Sequence, residues 1–132
     1  MNHSDNEVEY LDLEDVIRLA TLLLGDPPPI RDIGLWGSAI SRPTTTVYGV
    51  DAYPDVITKA AALLQSIVGN HALLDGNKRL GWLVTSVFLE LNGIEASRIG
   101  NDAVFDFVMW VASESPELSS VSSRLRNLTS NL

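Results

Sequence analysis

Two apolar stretches, residues 56–68 and 83–91, most constrain what this chain can fold into. In the first, Val56, Ile57, Ala60, Ala61, Leu64, Ile67 and Val68 recur at helical spacing and leave little polar surface. A helix of that kind is buried on most of its sides. Pro54 stands where a first helical residue is expected, and Gly69-Asn70 ends the element. The second helix begins near Asn77 or Lys78 and runs through Leu83, Val84, Val87, Phe88 and Leu91. Asn92-Gly93 closes it with a left-handed cap. Two central helices joined by a short polar turn predict an all-α domain.

The remaining segments agree. Asp12 is a candidate N-cap for a helix to Leu24, with Leu13, Val16, Ile17, Ala20, Leu23 and Leu24 on its apolar face. Gly25 and the run Asp26-Pro27-Pro28-Pro29 stop it. Ile30 to Ile40 has a weaker helical pattern, with Ile33, Trp36, Ala39 and Ile40 able to share a face. Arg42-Pro43 is expected to end it, because the residue before proline avoids the α region. Thr44, Thr45, Thr46, Val47 and Tyr48 form the one clearly β-prone run, which suits an extended arm or small hairpin ending at Gly49. Two further helices fit Asp102 to Ala112 and Pro116 to Leu128. Residues 1–132 are read as one domain.

Composition excludes several functions. The hydrophobic fraction is 45%, enough for a core, yet no apolar run approaches the roughly 20 residues that cross a bilayer. The polar, acidic start lacks the features of a signal peptide, so a cytoplasmic location without membrane attachment is expected. The chain has no cysteine, which removes disulfides, thiol catalysis and cysteine-bound zinc. Its formal net charge of -8 argues against bulk nucleic-acid binding.

Against that acidic background the turn "NHALLDGNKRLGW", Asn70 to Trp82, gathers His71, Asp75, Asn77, Lys78 and Arg79. Gly76 permits backbone conformations closed to other residues, and a helix starts just after it. The first amides of a helix lack intrahelical partners and favour an anion. Lys78 and Arg79 add positive charge at the end where cations oppose the helix dipole, a conflict that a bound phosphate would remove. Asp75 suits Mg²⁺ beside phosphates. Asn77 can steady a phosphate or a metal-bound water. His71 can take a proton from a hydroxyl. Together these are the parts of a phosphoryl or nucleotidyl transfer.

Each residue also has an ordinary structural explanation. A lone histidine is commonly structural, Asp75 could merely cap the next helix, and Lys78 and Arg79 could be solvated surface cations. Arg42 could contact substrate or nucleotide, or only mark a helix end. Trp36, Trp82 and Trp110 suit core or groove positions. The segment from Glu114 to Leu128 reads as a capped amphipathic helix, and His3 as part of a disordered terminus.

His71-Ala72-Leu73-Leu74-Asp75-Gly76-Asn77-Lys78-Arg79 resembles the Fic motif, HxFx(D/E)GN(G/K)R. The segments Arg31 to Gly49 and Tyr53 to His71 are also similar to the Doc, or "death on curing", branch of that family. The resemblance implies an all-α Fic fold, a helical bundle with a short extended flap, and an enzyme that uses ATP with Mg²⁺ to modify a protein hydroxyl. It implies His71 as general base and Asp75 at the metal. Gly76, Asn77, Lys78 and Arg79 would hold the nucleotide phosphates, and Thr44 to Tyr48 would be the flap that docks the target.

Lys78 stands where AMP-transferring members have a second glycine. In the Doc branch this lysine accompanies a reversed ATP, with the γ-phosphate at the acceptor, so phosphorylation is expected. The implied target is a threonine of elongation factor Tu, which would arrest translation. The implied partner is a Phd-like antitoxin. AMP transfer and a non-catalytic helical interaction module are the alternatives. Leu73 replaces the motif's phenylalanine, and Trp82 occupies the place of a second arginine common in AMP-transferring members. Ser86 and Glu90 have the spacing of the self-inhibitory motif (S/T)xxxE(G/N), but Leu91 follows, so restraint is expected from another protein.

Overall fold

The computed structural model describes residues 7–70 and 76–132. His71, Leu73 and Asp75, and His3 at the start, lie outside the described residues. The described chain contains α1 (Leu13–Leu24), α2 (Ile33–Ser41), β1 (Thr46–Val47), β2 (Val50–Asp51), α3 (Val56–Asn70), α4 (Asn77–Leu91), α5 (Asn101–Glu114) and α6 (Leu118–Thr129). Tight helical turns add Arg42–Thr44 and Ala96–Arg98. Among the described residues no helix is long and apolar enough to cross a membrane.

α3 is the axis of the bundle, in contact with α2, α4, α5 and α6. Its apolar residues occupy every side, so Ala60, Ala61, Ala62, Leu63 and Leu64 are all buried in succession. α4 packs beside it, with Leu80, Val84, Phe88 and Leu89 in the core. Gly81 explains the close pairing: a Cβ there would meet Val68 Cγ2 at 2.7 Å and Leu64 Cδ1 at 3.3 Å. α1 lies across α4 and contributes the buried Val16 and Ala20.

The helix ends follow from local chemistry. Asp12 accepts from the Asp15 amide at 2.8 Å, and the Asp15 carboxylate accepts from the Asp12 amide at 3.0 Å. This reciprocal capping box fixes the start of α1. α2 starts at Ile33 rather than Ile30, because the Asp32 carboxylate takes the Gly34 amide at 3.0 Å. α3 starts at Val56, and Pro54 lies upstream instead of serving as its first residue. Asp55 is the reason, since its carboxylate accepts from the Thr58 amide at 2.8 Å. α4 ends in a Schellman arrangement: the Gly93 amide donates to Glu90 at 3.1 Å and the Ile94 amide to Leu89 at 3.0 Å. Gly93 has the expected positive φ, 86°.

Arg42 departs from the sequence expectation. It sits in the α region (φ -58°, ψ -45°) although proline follows. Pro43 still ends α2, because it supplies no amide to the helix ladder. The chain continues as a tighter turn, held by the Arg42 guanidinium. Nε donates to Tyr53 Oη at 3.1 Å, and Nη1 donates to the Ala62 carbonyl at 3.2 Å and to Ser66 Oγ at 3.0 Å.

α6 covers α3 with Val121, Ser122 and Leu125. It starts at Leu118 rather than Pro116, and Glu117 gives it no side-chain cap, contrary to the capped helix expected. The pairing is pinned by Thr58 and Ser122 (Oγ1 to Oγ, 3.1 Å) and by Gln65 Nε2 donating to the Pro116 carbonyl at 2.9 Å. Arg126 Nη2 also reaches the Asp55 carboxylate at 3.3 Å.

Candidate active site

The tip of α4 holds the described part of the polar turn. Gly76 is its N-cap, in the left-handed region at φ 90°, ψ 7°. A Cβ at Gly76 would meet Leu24 Cδ2 at 2.9 Å, so the last residue of α1 closes the space and glycine fits twice over. The Gly76 carbonyl accepts from the Leu80 amide at 2.9 Å and begins the helix. Capping by a side chain at the N-cap position is ruled out, because glycine has none.

The first turn of α4 holds no acidic residue, although acids are the usual complement to the helix dipole. Gly76 and Asn77 are half-buried, while Lys78 and Arg79 are exposed. Ion pairs among the described residues include Arg18 with Asp15, Lys59 with Asp51, Arg98 with Glu95 and Arg126 with Asp55. Lys78 and Arg79 bring positive charge to the tip, in a first helical turn without an acid. Each cation costs a few tenths of a kcal/mol against the dipole, and both suit a polyanion.

A groove of about 340 Å³ opens beside these cations. Leu23, Trp82, Val104, Phe105, Val108 and Met109 make it apolar, and Lys78, Arg79 and Asn101 complete its lining. Phe105 is 65% exposed, which is unusual for so large an apolar side chain. The sequence reading did not find this groove. Its signal was present in α5, where Val104, Phe105, Phe107, Val108, Met109, Trp110 and Val111 place apolar groups on more than one face. Phe107, Val108 and Val111 fill the core, which leaves Phe105 and Met109 over.

The β-prone run becomes a hairpin. Thr46 pairs with Asp51 and Val47 with Val50, antiparallel, while Thr44 belongs to the preceding helical turn. The hairpin extends past Gly49 rather than ending there, because Tyr48 and Gly49 are its two-residue turn. Their φ values are 52° and 79°, the pattern of a type I′ turn. Val47, Tyr48 and Val50 all face solvent. A short exposed strand edge of this kind can accept a further extended segment.

Arg42, open between two roles in the sequence, is engaged by Tyr53, Ala62 and Ser66. Trp36 is fully buried, and Trp82 and Trp110 pack around Phe107 at ring separations of 6.3 and 6.2 Å. Ser86 donates to the Leu83 carbonyl at 2.9 Å, and Glu90 accepts from the Ser97 amide at 2.9 Å. Both residues of the incomplete inhibitory motif are thus used locally. Among the described residues no group of three His, Asp or Glu side chains forms a metal cluster.

The structure thus gathers Gly76, Asn77, Lys78 and Arg79 in one helical turn and sets Thr46 and Val47 in a separate hairpin. The helical bundle with one small hairpin agrees with the all-α fold expected from the sequence. The family model described as Fic/DOC family matches residues 10–89, from before α1 to near the end of α4. The chain belongs to the Fic/Doc family. It is 46% identical over 118 residues to Toxin Doc of Mycolicibacterium smegmatis (strain ATCC 700084 / mc(2)155), which covers 89% of this chain and 91% of that protein.

Proposed function

We propose that this protein is the toxin of a toxin–antitoxin pair and transfers the γ-phosphate of ATP to a protein hydroxyl. The acceptor is a threonine of elongation factor Tu, and the outcome is arrested translation in the cytoplasm. The observation that carries the reading is the tip of α4: a left-handed Gly76 that excludes a side chain, followed by exposed Lys78 and Arg79 with no acid in the first turn of the helix. Likeness to Toxin Doc supports the toxin role.

The residues at the tip fit a triphosphate. Gly76 leaves the backbone bare, and Lys78 and Arg79 supply charge. Asn77 steadies a phosphate oxygen, and Asp75 would hold Mg²⁺. The metal, when bound, offsets phosphate charge. His71 takes the proton of the acceptor hydroxyl as its oxygen bonds to the γ-phosphorus. The bond from the γ-phosphorus to the bridging oxygen breaks, and ADP leaves. The flap, Thr44 to Tyr48, holds the acceptor segment as an added strand. Lys78 in place of a second glycine favours this phosphoryl transfer over AMP transfer. The groove under Phe105 and Met109 receives an apolar segment of a Phd-like antitoxin.

The test uses purified protein free of antitoxin, Mg²⁺, elongation factor Tu and ATP labelled at either the α or the γ position. Label should pass only from the γ position, and His71→Ala should abolish it while leaving the far-UV spectrum unchanged. Transfer of the α label would instead establish AMP transfer. No nucleotide binding and no transfer would leave a helical interaction module.

A further inference from the structure

Lys59 is wholly buried, in the second turn of α3, and the transfer chemistry does not use it. Its ammonium ion-pairs with Asp51 Oδ2 at 3.1 Å and donates to the Tyr53 carbonyl. The Pro43 carbonyl lies 3.5 Å away. These three acceptors come from the two ends of one segment: Pro43 precedes the hairpin, and Asp51 and Tyr53 end it. The Tyr10 ring covers the same ammonium, with its centroid 6.0 Å away. A buried ammonium is costly unless its donors are paired, so the acceptors are held to it as firmly as it is to them.

We propose that Lys59 is a positioning residue that fixes the base of the β1–β2 flap to α3. The inference rests on the reading of the flap as the acceptor dock. Four hairpin residues pairing two by two have little stability of their own. The side chains of Val47 and Val50, and of Tyr48 in the turn, face solvent and add no core contact. The hairpin must therefore be placed from its base. Lys59 does this together with Arg42, which ties Tyr53 to Ala62 and Ser66 on α3. α3 runs on from Lys59 for about 16 Å to Asn70, the residue before His71. One rigid helix thus carries both the flap's anchor and the chain leading to the base. Through Lys59, the acceptor strand would be registered against α3.

Lys59→Met keeps the length and apolar stem and removes the ammonium. Hydrogen exchange at the Ala52 amide, which donates to the Thr45 carbonyl at 2.9 Å, reports flap order without any catalysis. Exchange there should rise about tenfold or more, while core amides such as Leu64 and Val84 stay protected. With elongation factor Tu as acceptor, KM for the acceptor should rise about tenfold with KM for ATP unchanged. Asp51→Asn, a change at a half-exposed partner, should move both readouts the same way if Lys59→Met does not fold. Unchanged Ala52 exchange in a folded variant, or equal loosening of the flap and the core, would overturn the anchor. A wild-type protein that transfers no phosphate would overturn the acceptor reading instead, and exchange alone would then decide the anchor.

Discussion

At the scale of single residues, Gly76 ties fold to chemistry most tightly. Its φ of 90° is closed to most side chains, and Leu24 fills the space where a Cβ would go. Gly76→Ala should therefore lose about 1–3 kcal/mol of stability, from left-handed strain together with the contact on Leu24. Part of that loss can be relieved by rotation of the Leu24 end, which is mobile compared with backbone. A Leu24→Ala background makes the space available and should recover the packing share, leaving the strain. Denaturant unfolding of the two single variants and the double variant separates the contributions. Additive losses would mean that Leu24 does not shape the turn. The same residue was readable from sequence as a conformational exception, but its neighbour across the turn was not, since Leu24 is 52 positions away.

At the scale of elements, Asp55 shows how one carboxylate joins two helices. Burial pushes its pKa up, but the Thr58 amide and hydroxyl and the Arg126 guanidinium outweigh this and hold it below the ordinary aspartate value of 3.8. A carboxyl whose pKa is depressed by folding stabilises the native state above its unfolded value. That contribution is lost as pH falls through the lower, folded value. Asp55→Asn keeps a good cap and removes the charge. Wild type should exceed this variant in stability near pH 7, and the gap should close as pH drops below 3.8. A gap that persists in acid would mean that the charge is not the source of the stability Asp55 adds. The helices themselves were legible because their apolar spacing is local: α1, α3 and α4 fall within a residue or two of expectation. The starts of α2 and α3 were less so, since Asp32 and Asp55 cap them beyond the expected first residues Ile30 and Pro54. The hairpin beyond Gly49 was hidden because Val50 and Asp51 are too few to show a pattern. Lys59 was invisible as a buried cation, because nothing in a helical pattern tells that Asp51 and Tyr53 fold back over it.

For the whole molecule, the central tension is between an overall charge of -8 and the cations exposed at the tip of α4. The surrounding acidic surface repels a triphosphate at long range, with a reach of about 10 Å at 0.1 M salt. On the proposed function, binding would come from short-range contacts at the tip and from Mg²⁺, which lowers the charge of the nucleotide before it arrives. Mg-ATP, if bound by the folded chain alone as proposed, would stabilise it by mass action, about 2.7 kcal/mol at a hundredfold excess over Kd. For a domain of this size that is a rise in Tm of roughly 10 °C. Lys78→Ala with Arg79→Ala should erase most of the rise without lowering the Tm of the free protein. The free variant should even gain slightly, because two cations opposing the α4 dipole are gone. Omitting Mg²⁺ should also reduce the rise. Raising salt should help free ATP more than Mg-ATP, as screening matters most for the more highly charged ligand. Scanning calorimetry across these conditions distinguishes a tip that grips phosphate from one whose cations are only solvated. In the latter case the double variant would respond to Mg-ATP as wild type does.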